Sequence, residues 1–166
     1  MAANGTCRTA LLALALGVAG CGPRLVEHVS EDGRFGVLLP GEPRGEEDEE
    51  LPKGQHKVAF VERSGNYTVA WRDLPGQKEP PDEVLDTACD KALEALRAEP
   101  VSRKEITLKG RYPGRDLAAA WSRGFFHARF YLVRRRLYHV VVSGEKWWVE
   151  SARSRKVLES FRLIEE

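Results

Sequence analysis

Alternating apolar and polar positions predict β-strands early in the chain. A short strand is expected at 35–39, because this apolar stretch is followed by Pro40-Gly41, a pair typical of turns. Two further strands are expected at 57–63 and 67–71. They flank Ser64-Gly65-Asn66, whose composition favours a tight turn, so the two segments are predicted to form a hairpin.

The second half of the chain is also predicted to be mostly strand. The expected strands are 101–108 and 116–121 around a turn at 110–114, and 125–133 and 137–142 around Arg134-Arg135-Arg136. A turn centred on the arginines places Tyr131 opposite Tyr138 and Phe130 opposite His139. Both faces of this long hairpin carry apolar groups, so it is expected to lie centrally in a sheet that is covered on both sides.

Helical spacing predicts one helix between the two halves. Pro81 suits the first turn of a helix at 81–98, and Asp82 and Glu83 favour its N-terminal dipole. One face of this helix is apolar: Leu85, Ala88, Cys89, Ala92, Leu93 and Leu96. A second helix is expected at 145–160, with Trp148, Ala152 and Leu158 inward, before a short strand at 161–164. This order predicts an α+β fold, an antiparallel sheet with two helices packed on it.

The first 21 residues have the pattern of an export signal. Arg8 precedes an apolar run at 11–19, which is too short for the ~20 residues that cross a bilayer but fits a secretory signal peptide. The segment Val18-Ala19-Gly20-Cys21 resembles the lipobox of bacterial lipoproteins. The resemblance implies cleavage before Cys21 and a diacylglycerol on its sulfur. An ordinary signal peptide with a chance cysteine is the competing interpretation.

This resemblance implies an address and a domain plan. The expected units are a signal peptide at 1–20, a lipidated tether at 21–30 and a single α+β domain at 31–166. The protein is expected outside the cytoplasm, on the bacterial cell membrane or the outer membrane, with the lipid at Cys21 as its membrane contact. Two or more acyl chains suffice for stable anchoring.

Several short segments of the later chain resemble the PsbP/DcrB-like architecture, an antiparallel sheet with helices packed on it. They are Phe35 to Leu39 with Pro40-Gly41-Glu42-Pro43, Tyr67-Thr68-Val69, Tyr112-Pro113-Gly114-Arg115, and Leu158-Glu159-Ser160-Phe161-Arg162-Leu163. The resemblance implies an accessory envelope protein. It brings no catalytic residue, because fold alone does not transfer activity.

Charge is balanced overall but uneven along the chain. The formal net charge is +1, yet residues 21–100 hold 10 Lys and Arg against 18 Asp and Glu, and residues 101–166 hold 15 against 7. Nucleic acid is disfavoured as a partner by the near-zero net charge and by the compartment. A basic side that meets an acidic partner or anionic lipid, or solvated faces of both signs, would each produce this pattern.

The sequence contains no recognised catalytic motif. It has no nucleophile elbow, Walker loop, paired-His metalloprotease motif or Cys-x-x-Cys. The four histidines are far apart, with His127 and His139 expected on opposite faces of the hairpin, so no metal site or cofactor is predicted. After export, Cys89 is the only cysteine left besides Cys21 and is expected to pack as a small apolar group. The acids at 46–50 lack the spacing of a calcium loop and are expected in an exposed loop.

Two features predict an interaction surface. Arg134, Arg135 and Arg136 form either a charged hairpin tip that deters edge pairing or a contact for phosphate or lipid headgroups. Of the adjacent Trp147 and Trp148, one ring is expected in the core and the other at the surface. The sequence thus favours a non-enzymatic, lipid-anchored envelope domain that binds a protein or envelope component. The alternatives are a small-molecule or ion binder with a pocket between sheet and helix, and, with least support, a hydrolase or transferase.

Overall fold

Antiparallel hairpins build the whole architecture. The computed structural model describes residues 24–45 and 54–164, so Cys21 and the acidic run at 46–50 lie outside the described residues. In chain order the elements are β1 (Val26–Ser30), β2 (Phe35–Leu39), β3 (Arg44–Gly45), β4 (Gln55–Glu62), β5 (Gly65–Asp73), α1 (Pro81–Leu96), β6 (Glu99–Leu108), β7 (Tyr112–Trp121), β8 (Gly124–Val133), β9 (Arg136–Gly144), α2 (Lys146–Val149), α3 (Ala152–Glu159) and β10 (Arg162–Leu163). Within these ranges seven strands form one sheet, β3-β4-β5-β9-β8-β7-β6, and three form a smaller one, β1-β2-β10. The predicted antiparallel α+β fold is therefore confirmed.

Helix α1 covers one face of the large sheet. Pro81 stands in its first turn with Asp82 and Glu83, and the helix ends at Leu96, after which the left-handed backbone of Arg97 (φ 49°) caps the last turn. Of its predicted apolar face, Leu85, Ala88 and Cys89 are buried against β7 and β8 and Ala92 and Leu93 are partly buried, whereas Leu96 in the last turn is exposed. The residues that form this core layer include Leu85, Ala88, Cys89, Leu117, Phe126, Phe130 and Leu137.

The small sheet, α2 and α3 cover the opposite face, which holds the larger core. Phe35 of β2 packs edge-on against Trp71 (ring centroids 5.4 Å apart) and Tyr138 (6.3 Å). Phe161, just before β10, stacks on Tyr131 at 5.6 Å. The long hairpin β8–β9 has the predicted register, with Tyr131 opposite Tyr138 and Phe130 opposite His139. The hairpin is therefore central and covered on both sides, as expected.

The antiparallel strands give the large sheet two distinct ends. At one end, a single row of partners crosses the sheet: Glu62, Gly65, Gly144, Phe125, Ala120 and Glu99. We call this the tryptophan end, because α2 with Trp147 and Trp148 follows Gly144 directly. The opposite end holds the β8–β9 turn at Arg134-Arg135, and we call it the arginine end.

The expectation of a tether over 21–30 is wrong for its last five residues. Residues 26–30 form β1, which pairs with β2 over its whole length, from Val26 opposite Leu39 to Ser30 opposite Phe35. The order of this segment comes from pairing with a later strand. The segment carries no apolar periodicity of its own, because Val26 and Val29 are exposed. Its own sequence therefore does not indicate the pairing.

The single helix expected at 145–160 is also wrong. Ser151 is extended (φ −63°, ψ 154°) and its hydroxyl accepts a hydrogen bond from the Ser154 backbone N–H, so the segment divides into α2 and a newly capped α3. Trp148 and Leu158 are buried as predicted, whereas Ala152 is exposed because the new cap resets the inward face to Ser154, Val157 and Leu158.

Two turns are shorter than predicted because a glycine in each lies inside a strand. A Cβ on Gly114 would stand 2.5 Å from the Phe130 carbonyl oxygen, and one on Gly65 would stand 2.5 Å from the Trp148 ring. Both glycines allow close packing and do not form turns. Strand β7 therefore begins at Tyr112 and β5 at Gly65. No helix within 24–45 and 54–164 has the length and apolar character to cross a membrane.

Candidate functional site

Five arginines line one cleft at the arginine end. The cleft has a volume of about 660 Å³. Its lining residues are Arg34, Asp73, Arg111, Tyr112, Val133, Arg134, Arg135, Arg136, Tyr138, Leu163 and Ile164. Five arginines thus meet a single carboxylate, which makes the cleft strongly electropositive.

Three separate turns bring these arginines together. Arg34 lies in the turn between β1 and β2, Arg111 in the turn between β6 and β7, and Arg134-Arg135 in the turn between β8 and β9. The side chains of Arg134 and Arg135 are exposed, as predicted for a hairpin tip. Sequence reasoning identified this tip but missed Arg34 and Arg111.

The backbone at this end carries strain at cationic positions. Arg34 (φ 55°), Lys109 (φ 52°) and Arg134 (φ 56°) all adopt the left-handed conformation that glycine or asparagine occupies more easily. Each such residue costs on the order of 1 kcal/mol relative to glycine. Arg34 and Arg134 line the cleft but Lys109 does not, and Arg97, which caps α1 at the other end, has the same conformation, so this backbone geometry belongs to turns and a cap and does not by itself mark the site.

An ion pair fixes the base of the cleft. Arg136 donates to Asp73 through Nε (2.6 Å to Oδ1) and Nη2 (2.9 Å to Oδ2), and through Nη1 to the Asp32 carbonyl oxygen at 3.0 Å. The Tyr138 hydroxyl donates to the Gly33 carbonyl oxygen at 2.8 Å. The hydrogen bond from Arg136 lowers the pKa of Asp73, so this carboxylate is ionised at neutral pH. These contacts dock the β1–β2 turn, and with it Arg34, against the β8–β9 tip.

The cleft has the chemistry of an anion-binding site. The guanidinium of Arg111 lies over the Tyr112 ring, with Cζ 5.2 Å from its centroid, within range of a cation–π contact. Guanidinium groups bind phosphate and carboxylate oxygens in bidentate geometry. The lining contains no serine, cysteine or histidine, and its one carboxylate is held in an ion pair. The cleft therefore offers groups that bind and orient an anion but no pair suited to nucleophilic or general acid–base work.

The two tryptophans lie far from this cleft. Trp148 is buried against Tyr67 (ring centroids 4.7 Å apart), and its indole N–H donates to Glu62. Trp147 is 64% exposed. The nine residues of β9 separate the arginine tip from α2, a span of roughly 27 Å at the rise of a β-strand. The structure therefore separates the two parts of the predicted interaction surface. Of the two tryptophans, only Trp147 is accessible.

Three other buried or half-buried titratable groups, Asp116, His139 and Cys89, lie away from this cleft. Asp116 accepts hydrogen bonds from His127 Nε2 (2.7 Å) and Arg129 Nε (2.9 Å), which together outweigh the effect of burial and lower its pKa. His139 lies on the opposite sheet face, where burial, with a smaller effect of Arg72, lowers its pKa to about 4. Burial raises the pKa of Cys89 to about 11, so this thiol packs as the sequence predicts. Residues 24–45 and 54–164 contain no cluster of three metal-ligating side chains.

A second cavity, of about 560 Å³, lies between the loop after β5 and helix α1. Arg72, Gln77, Glu83 and Lys91 are among its lining residues. The Nε atom of Arg72 and the Oε1 atom of Gln77 are buried without a hydrogen-bond partner in the described part of the chain. The sheet contributes only Arg72 and Asp73 to the wall of this cavity, and the loop and α1 provide the rest.

Comparison with known proteins identifies the fold. The sequence matches no protein-family model and no curated protein. The solution structure of cyanobacterial PsbP (CyanoP) from Synechocystis sp. PCC 6803 superposes with a TM-score of 0.64 at 16% identity, covering 96% of this chain and 98% of that chain. This similarity confirms the PsbP-like fold. PA94, a Pseudomonas aeruginosa protein of unknown function, superposes with a TM-score of 0.47 at 11% identity over 79% of this chain and 90% of that chain, which is too loose to carry an argument.

Proposed function

We propose that this protein is a non-catalytic, lipid-anchored domain of the bacterial cell envelope that binds an anionic group of an envelope component in the arginine cleft. The observation that carries the proposal is the meeting of five arginines and one carboxylate around a single cavity. The ligand chemistry is a phosphate or carboxylate group, presented by a protein partner or by another envelope molecule.

The mode of anchoring follows from the lipobox-like segment that ends at Cys21. Replacement of Cys21 by serine is expected to release the protein from membranes or to leave the leader uncleaved. A Cys21→Ser variant that fractionates and migrates like the wild type would refute the lipid anchor.

The binding role is tested by titration of the purified protein with pyrophosphate and, separately, with a short oligosaccharide of uronic acids. The two ligands distinguish phosphate from carboxylate recognition. The variant Arg134→Ala/Arg135→Ala should weaken binding of the preferred ligand roughly tenfold, because charge-assisted hydrogen bonds are lost. The matched control is Arg63→Ala/Arg123→Ala, which removes two exposed turn arginines from the tryptophan end. Equal losses in both variants would show nonspecific attraction, and no binding of either anion would contradict the proposal.

The second cavity favours a second candidate function, the binding of a small polar molecule. Its support is the pair of buried, unpartnered atoms on Arg72 and Gln77 at the cavity wall. A thermal-shift screen of small carboxylic acids and amides tests it. A ligand whose stabilisation is lost in Gln77→Ala but kept in Arg134→Ala/Arg135→Ala would assign binding to this cavity.

A further inference from the structure

Most of the exposed large apolar side chains lie at the tryptophan end. Six large apolar residues of the described chain are well exposed: Val26, Val29, Val61, Leu96, Val101 and Trp147. Val61 and Val101 lie within two positions of the end row of partners that runs from Glu62 to Glu99. Leu96, the last residue of α1, lies three residues before Glu99 of that row. Trp147 lies three residues after Gly144, which also belongs to the row.

The N-terminal strand enters the fold from the same end. Strand β1 runs toward the turn at 31–34, which Arg136 and Tyr138 bind at the arginine end. Val26, the first residue of β1, therefore lies at the far end of the strand from that turn, toward the tryptophan end. Val26 pairs with Leu39, and Gly41, two residues further along, lies against Phe60. Phe60 in turn pairs with Tyr67, which packs on Trp148. Val26 therefore joins Val61, Leu96, Val101 and Trp147, so that five of the six exposed apolar residues lie toward this end.

The distance to the anchor is short. Five residue steps separate Cys21 from Val26, and a fully extended chain of that length spans at most roughly 18 Å. The large sheet is longer than this, roughly 27 Å along β9. An acyl chain on Cys21 therefore keeps the entry to β1 close to the bilayer surface, and the arginine tip is the most distant part of the sheet when the tryptophan end faces the membrane.

We propose that the tryptophan end rests on the lipid surface, with the ring of Trp147 in the interfacial layer, so that the arginine cleft points away from the membrane. This inference rests on the lipid anchor of the proposed function. Tryptophan favours the membrane interface because its ring is apolar and its N–H is polar. An anion bound in the cleft then belongs to a partner beyond the anchoring leaflet and not to the headgroups of that leaflet.

Charge at this end predicts the kind of lipid contact. The exposed cations Arg24, Arg63, Arg97, Arg123 and Lys146 are matched by the exposed acids Glu27, Glu94, Glu99, Glu145 and Glu150. The Lys146 Nζ atom lies 3.8 Å from Glu150 Oε1. Without an excess of positive charge, the contact is apolar, and it should form on zwitterionic lipid and persist at high salt.

The experiment uses the full protein, purified with its native anchor and reconstituted into phosphatidylcholine vesicles whose acyl chains carry bromine, a short-range quencher of tryptophan fluorescence. The wild type should be quenched at both low and high salt. Trp147→Phe should lose most of that quenching. Trp121→Phe is the matched control, because Trp121 lies at the same end but packs on Phe126, and it should keep the quenching.

The outcomes separate this inference from the anchor. Protein that floats with the vesicles but shows equal quenching in the wild type and Trp147→Phe overturns the orientation alone. Quenching that requires anionic lipid or disappears in high salt overturns the apolar contact. Protein that does not float with vesicles overturns the anchor and the orientation together.

Discussion

Arg136 and Asp73 face each other across β9 and β5 and form a bidentate ion pair, with an Nε–Oδ1 distance of 2.6 Å and an Nη2–Oδ2 distance of 2.9 Å. Asp73 is the one carboxylate in the lining of the arginine cleft. It therefore both positions Arg136 and opposes a bound anion. These two effects make opposite predictions for its replacement.

Asp73→Asn should raise the affinity of the cleft for pyrophosphate at least threefold, because removal of a unit negative charge about 7 Å away in a water-like dielectric changes the binding energy by ~0.6 kcal/mol for each unit of ligand charge, and pyrophosphate carries more than one. The free energy of unfolding should fall by less than about 1 kcal/mol, since the Asp73 side chain is 64% exposed. Calorimetric titration and urea unfolding measure the two effects. Weaker binding in Asp73→Asn would show that positioning of Arg136 outweighs the removed repulsion.

The two adjacent tryptophans should differ sharply in their effect on stability. Trp148→Ala should lower the free energy of unfolding by about 3–5 kcal/mol, because it leaves a cavity beside Tyr67. Trp148→Phe should cost less and gives a measurable variant if the alanine variant fails to fold. Trp147→Ala should change the unfolding energy by less than about 0.5 kcal/mol, since its ring is exposed. Similar losses at both positions would contradict this assignment of buried and exposed rings.

His139 should make the fold sensitive to mild acid. Burial lowers the pKa of His139 from 6.5 to about 4, so between these two pH values the unfolded chain binds more protons than the folded one. Stability is therefore full above about pH 6.5 and falls by up to about 3 kcal/mol as the pH approaches 4. His139→Leu should flatten the unfolding energy over this range. An unchanged pH profile in His139→Leu would contradict the assignment.

Cys89 should be inert in the folded protein. Its side chain has no exposed surface, and burial raises its pKa to about 11, so little thiolate is present at neutral pH. A maleimide reagent at pH 7.5 should label Cys89 only after unfolding, as peptide mapping would show. Rapid labelling of Cys89 in the native protein would indicate that α1 opens away from the sheet.

Local patterns were sufficient to predict much of the fold. Helix α1 follows from the apolar spacing after Pro81, and the pairing of Tyr131 with Tyr138 follows from one turn at Arg134-Arg135. Both depend on residues close together in sequence. Strand β1 was missed because its partner and its register come from β2 and from the core beneath it.

The candidate site was only partly predictable for the same reason. The run Arg134-Arg135-Arg136 is visible in the sequence, but Arg34 and Arg111 join it through two other turns, and exposed turn residues carry no periodic signal. The separation of the arginine tip from Trp147 depends on β9 being one unbroken strand between them. Once that strand is assigned, its two ends cannot form one surface.

The most direct measurement of the central claim is the intact mass of the protein isolated from the membrane and soluble fractions of the cells that produce it. A polypeptide that begins at Cys21 and carries the mass of a diacylglycerol group on that residue is the predicted result. A chain with residues 1–20 still attached in the soluble fraction, or a Cys21 thiol without lipid, would contradict both the anchor and the membrane orientation inferred from it.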